Sequence, residues 1–191
     1  VAAEAHRLGM GVTGHVPAFT TPDRVIEQGY DSIAHINQLV LGWVLKPDED
    51  TRTPLRLTAM TRAADLDLNS APVLRTVELM KSHHVALDTT AVALEQLMLS
   101  RANEVEPGDK AYLDHMPIGF ERYRRRSFVT IKSPADDAAY HAGFDKLMQV
   151  IAMLDKDGVQ LRPGTDENNG FMLLRELELD VGAGIAPAKA L

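Results

Sequence analysis

The chain has 191 residues, 45% of them hydrophobic, and no cysteine, so it can build one domain with a sizeable core, and any metal it holds must be bound by nitrogen and oxygen. A charged fraction of 25% with a net charge of −7 makes the surface acidic on average, the opposite of the basic field that nucleic acid demands. No apolar run approaches the roughly 20 residues that span a bilayer and no signal-like segment opens the chain; neither nucleic acid nor a membrane is expected as a partner, and cytoplasmic and exported locations both stay open.

In chain order, "VAAEAHRLGMGV" reads as the back half of a helix that stops at Gly9. Gly11 to Val16 is a short run bounded by glycine and proline, consistent with a buried strand. Thr21 then caps a helix with Pro22 at its first position, Val25 and Ile26 on its apolar face and Gly29 as its stop. Ser32 to Ile36 reads as the next strand, giving a strand, helix, strand unit of the parallel type. Residues 41–69, with Pro47, Pro54 and an acidic cluster, read as a long loop with one helical turn.

A helix is expected from Ala71 to His83, with Val73, Val77, Met80 and His84 on one face, and "VALDTT" after it as the third strand. Residues 91–132 carry no strand signal, only two helices near 91–101 and 119–126. So long an excursion is unusual where connections run to about 4 to 6 residues, and it reads as a candidate lid. Ser133 caps a long helix from Pro134, carrying Phe144, Leu147, Met148, Ile151 and Leu154 at helical spacing until Gly158. "VQLRPGTDENNG" supplies the fourth strand and its loop. A last helix from Phe171 to Val181 is expected to turn Leu173, Leu174, Leu177 and Val181 inward, and Pro187 opens one more turn. The opening and closing segments suggest part of a larger domain.

Four strands with intervening helices fit either half of a closed eight-stranded barrel or part of an open doubly wound sheet. In both, chemistry gathers at the carboxyl ends of the strands, where His15, His35, Asp88 and Asp166 fall. GxxxxGK[ST] does not occur, and the GxGxxG spacing of Gly9, Gly11 and Gly14 follows a helix and runs into the first strand instead of linking a strand to a helix, which disfavours a nucleotide-binding open sheet and favours the barrel.

His15 and His35 stand 20 residues apart, one strand, helix, strand repeat. Parallel neighbours lie about 4.8 Å apart, so imidazoles on adjacent strand ends can share one metal ion. Asp166 adds an oxygen, and such an open site would activate water while a carboxylate beside it takes and returns the proton. Against this stands the bland reading, in which each histidine is a structural residue that hydrogen-bonds at a strand end.

The segments "EAHRLGMGVTGHVP", "GYDSIAHI" and "RPGTDENNGFMLLRELELDVGAGIAPAKAL" resemble the fifth, sixth and eighth strand regions of the metal-dependent amidohydrolase superfamily, in its imidazolonepropionase-like and Xaa-Pro dipeptidase-like group. The resemblance, which weakens over about 41–70 and 91–132, implies an α/β fold, a (β/α)8 TIM-type barrel of which residues 1–191 supply about the last four β/α units, strands five to eight. It implies a divalent metal, zinc foremost, as one or two ions, with His15, His35 and Asp166 as ligands and Asp166 as the acid/base group. It also implies that the HxH pair and bridging lysine belong to an amino-terminal half of the barrel outside these residues. The expected activity is hydrolysis of an amide, peptide or cyclic amide C–N bond in a small-molecule or dipeptide-like substrate. Ala34, Leu174 and Arg162-Pro163 depart from the family's usual residues, which bears on substrate choice more than on metal binding. The alternative from a different class is a noncatalytic truncated barrel whose open edges need a partner chain, and a homo-oligomer is also left open.

Other polar residues read more simply. His83 and His84 suit a helix end; Asp88 suits either the barrel mouth or a turn. "ERYRRR", Glu121 to Arg126, reads first as a solvated helix face and second as an attractor for an anionic substrate group. His115 and His141 have no nameable partners in the sequence.

Overall fold

The glycine- and proline-bounded runs do form strands, but short ones. In a computed structural model, which describes residues 1–167 and 169–191, they are β1 (Thr13–Gly14), β2 (Ser32–Ala34), β3 (Ala86–Asp88) and β4 (Leu161–Arg162). The loop expected after the fourth strand includes Asn168, which lies outside the described residues. All pairings are parallel: Thr13 aligns with Ser32, Ala34 with Asp88, and Asp88 with Arg162. The spatial order β1-β2-β3-β4 follows the chain. A doubly wound sheet reverses its strand order at a switch point; none occurs within these four strands.

Helices make each crossover. The chain opens on α1 (Ala2–Arg7); α2 (Pro22–Glu27) is capped by Thr21, whose hydroxyl accepts from the Arg24 amide. After β2 come α3 (Ile36–Val44) and α4 (Leu55–Thr58), then a 3-10 helix at Ala59–Asp65. This corrects the expectation of a long loop over 41–69. The physical reason is that Ile36 to Leu41 are all buried, the polar Asn37 and Gln38 included, so polarity along α3 does not mark a solvent-facing side.

Next come α5 (Ala71–Ser82), α6 (Ala91–Leu99) and α7 (Ile118–Arg124). His84 does not share the buried face of α5; it is exposed beyond the helix end at φ 56°. The longest helix, α8 (Pro134–Lys156), follows the sequence reading: Ser133 accepts from the Asp136 amide, Phe144, Leu147, Ile151 and Leu154 are buried, and Gly158 ends it at φ +82°. It packs on the Ala59–Asp65 segment so closely that a Cβ at Gly143 would stand 2.4 Å from the Met60 carbonyl oxygen. Glycine there permits the approach of backbone to backbone.

Helix α9 (Phe171–Gly182) begins where expected but turns the other way. Met172, Glu176, Leu179 and Asp180 are buried, while Leu173, Leu174 and Val181 are exposed, which corrects the expected inward face at those three positions; Leu177 is partly buried against the core. The cause is polar: Glu176 is fully buried because it accepts hydrogen bonds from the start of α6. A short α10 (Pro187–Ala190) closes the described chain. No helix among the described residues is long and apolar enough to cross a membrane.

Candidate functional site

With all four strands running one way, their carboxyl ends open on one face. His15 follows β1 directly and is exposed; its carbonyl accepts from the Tyr30 hydroxyl at 3.3 Å. His35 follows β2, half-buried, and its amide donates to the Asp88 carbonyl at 2.8 Å. That bond extends the ladder one residue past β2 while φ at His35 swings to 68°. The two imidazole centroids come to lie 4.7 Å apart, tilted by 58°. Asp166, beyond β4, is exposed and also left-handed at φ 49°, and its Oδ2 lies 4.0 Å from His35 Nε2.

Burial and the Arg56 charge act on this pair in one direction, against Asp166. His15 titrates below its usual value, first through burial, then through the Arg56 charge, with Asp166 opposing. His35 is likewise lowered, first by burial, then by His15, against the pull of Asp166. Both shifts favour the neutral imidazole, the form that offers a lone pair to a metal. Two ligands at zinc distances of 2.0 to 2.1 Å in tetrahedral array stand about 3.4 Å apart, so the 4.0 Å between His35 and Asp166 is wider by less than about 1 Å. The donors therefore fit a divalent ion in chemistry, and His35 and Asp166 come near to it in spacing. They do not make a closed cage: among the described residues no group of three or more His, Asp or Glu is gathered tightly enough to hold an ion.

The pair and Asp166 line a cavity of about 140 Å³ with Asn37, Arg56 and Thr90, and with an apolar wall including Leu94 and Leu97. A larger cavity of about 230 Å³ lies beside it, past Gln38, under Phe19, Leu41 and Lys46. It contains no histidine, and converging titratable groups, rather than volume, mark the smaller one as the site. Asn37 is buried with Oδ1 unpartnered.

Asp88 is a strand residue, not a turn residue. Burial first, and then the Asp166 charge, raise its pKa. Its carboxyl occupies the space where Gly164 would carry a side chain: a Cβ there would sit 2.0 Å from Asp88 Oδ1. The glycine of "GTD" is thereby explained by packing.

Thr90 and Glu176 were not singled out by the sequence. Thr90 Oγ1 lies 2.5 Å from His35 Nδ1. Glu176 accepts from the Thr89 hydroxyl at 2.5 Å and from the amides of Ala91 and Val92 at 3.0 and 2.7 Å. Its pKa is pushed up to about 7, chiefly by burial, although these hydrogen bonds favour the ionised form. The one available signal was a glutamate in a leucine-rich helix, which on its own reads as a surface residue.

The excursion between α6 and α8 is pinned from inside. Arg124 of α7 is buried against Asp109, which also accepts from the Tyr112 hydroxyl at 2.6 Å. Arg124 also donates to Gln96 and lies 3.3 Å from Glu167. The reading of "ERYRRR" as a solvated face is corrected at this residue, while Arg122 and Arg126 are exposed. His83 ends α5 as expected. His115 and His141 are exposed beside Asp114 and Asp137, away from the site.

No family model and no curated protein matches the chain. Among solved structures, bottromycin amidohydrolase is similar over 100% of this chain and 40% of its own length, with a TM-score of 0.62 and 20% identity. The likeness shows the fold: an α/β chain with the architecture of part of that amidohydrolase. The chain spans about two fifths of the length of that structure.

Proposed function

We propose that this chain supplies the carboxyl-terminal part of the catalytic (β/α)8 barrel of a metal-dependent hydrolase that cleaves an amide, peptide or cyclic amide C–N bond. The observation that carries the reading is the approach of His15 and His35 at the carboxyl ends of adjacent parallel strands, with the rings 4.7 Å apart, and of Asp166, beyond β4, to 4.0 Å from His35. The fold shared with an amide hydrolase supports it. His15 and His35 would hold the ion, zinc foremost, through nitrogen and Asp166 through oxygen, with any second ion held by groups on the complementary half of the barrel. When bound, such an ion acidifies water and polarises a carbonyl.

The remaining work belongs to the protein. Asp166, exposed at the mouth, takes the proton of the attacking water and delivers it to the leaving nitrogen. Leu94, Leu97 and neighbouring apolar groups exclude bulk water from one side. Arg56, on the same cavity, disfavours protonation of both imidazoles, keeping them available as neutral ligands. A small-molecule or dipeptide-like substrate suits a cavity of about 140 Å³ that the other half would enlarge.

The test is to measure metal content and amide hydrolysis in the full-length protein and in His15→Ala and His35→Ala. Stoichiometric metal in the parent, with loss of both metal and activity in each variant, is expected. Full hydrolysis by His35→Ala would overturn the reading. A second reading, a noncatalytic barrel piece completed by another chain or by a second copy, draws on the exposed Leu173, Leu174 and Val181 of α9. It requires a parent protein that assembles yet binds no metal.

A further inference from the structure

We propose that Thr90 is the positioning residue of His35 and that Glu176 is the anchor that keeps Thr90 in place. The inference rests on the reading of His35 as a metal ligand. A neutral imidazole carries its hydrogen on one nitrogen only, and the nitrogen without it is the ligand. His35 meets Thr90 Oγ1 through Nδ1 at 2.5 Å and turns Nε2 toward Asp166. With Nδ1–H donating to the Thr90 hydroxyl, the bare lone pair is at Nε2, facing the carboxylate that would complete the site. The other tautomer would present N–H there and bind no ion.

Thr90 does not rest in this place by preference. It is 1% exposed and left-handed, at φ 42° and ψ 40°. A β-branched residue is strained in that region and stays there only when its surroundings over-determine it. Besides the bond from the Thr89 amide to the Arg162 carbonyl, one buried carboxyl group dominates those surroundings. Glu176 accepts from Thr89 before it and from Ala91 and Val92 after it, so both flanks of Thr90 are held by the same buried group. No side chain at Thr90 caps α6; Glu176, 85 residues away from Ala91, satisfies the amides that an N-terminal cap would otherwise take. Because α9 follows the strand that leads to Asp166, the anchor ties the His35 side of the site to the Asp166 side.

The experiment uses the full-length protein and the variants Thr90→Val, Thr90→Ala, Thr90→Ser and Glu176→Gln. The nitrogen-15 shifts of the His35 ring in metal-free protein report the tautomer, and chelator competition reports zinc affinity. Thr90→Val and Thr90→Ala are expected to shift His35 to a tautomer mixture and to weaken zinc about 10- to 100-fold. Thr90→Ser is expected to restore both, and Glu176→Gln to shift the ring the same way as Thr90→Val. An unchanged His35 tautomer in both Thr90→Val and Thr90→Ala overturns the proposal, and so does a serine that fails to restore it. If one variant does not fold, the other and Thr90→Ser still decide. A parent that binds no divalent metal would defeat the proposed function, while the ring shifts would still test the Thr90 contact.

Discussion

Helices α8 and α9 pack against each other and invite the same rule, yet only α8 obeys it. In α8 the apolar stripe through Phe144, Leu147, Ile151 and Leu154 is buried. In α9 the leucines at 173 and 174 face outward and two carboxylates face inward. The difference teaches that apolar periodicity decides a helix's orientation only where nothing polar needs it more. Helix α8 packs on the Ala59–Asp65 segment through hydrocarbon. Helix α9 instead supplies the acceptor for the start of α6, and unmet buried amides cost about 1–3 kcal/mol each.

The sharpest way to break this contrast is to cut into α8. Leu154→Ala, at a fully buried position, is expected to destabilise by about 2–5 kcal/mol in urea unfolding. A loss under about 1 kcal/mol would mean that α8 is not the core helix described. On α9 the expected effect is somewhat smaller and depends on pH. Glu176 ionises near 4.5 when unfolded and near 7 when folded, so the folded protein keeps a proton across that window. The stability this contributes is full below pH 4.5 and is lost as pH rises through 7. Relative to Glu176→Gln, the parent should lose up to about 3 kcal/mol between pH 4.5 and 8. A pH-independent difference between the two would show that Glu176 is not buried as described. The smallest effect belongs to the outer face: Leu174 is 60% exposed, and Leu174→Ser should change stability by less than about 0.5 kcal/mol. A clearly larger loss would reveal a covering partner on this face.

The same contrast explains what could be read in advance. The placement of His15, His35 and Asp166 at strand ends followed from local punctuation, because glycine and proline bound each run and crossover spacing is regular. Helix α3 was hidden because its first six residues are buried whether polar, like Asn37 and Gln38, or apolar, so their pattern does not separate a core face from a solvent face. The buried faces of Glu176 and Arg124 were hidden for a different reason. Their partners lie far off in sequence, at Ala91 and Val92 for Glu176 and at Asp109 for Arg124. No local pattern records a hydrogen bond that closes across 85 residues. Thr90 was missed likewise, since its importance depends on an imidazole 55 residues earlier.

His35, Thr90 and Asp166 are three of the six described non-glycine residues with left-handed backbone. Glycine would sit more comfortably at each of them, so the chain gives up some robustness to present these side chains. Anyone selecting this protein for heat resistance alone should expect enrichment of glycine at these positions, yielding hardy variants that no longer perform. A selection scheme that scores turnover alongside survival would keep all three.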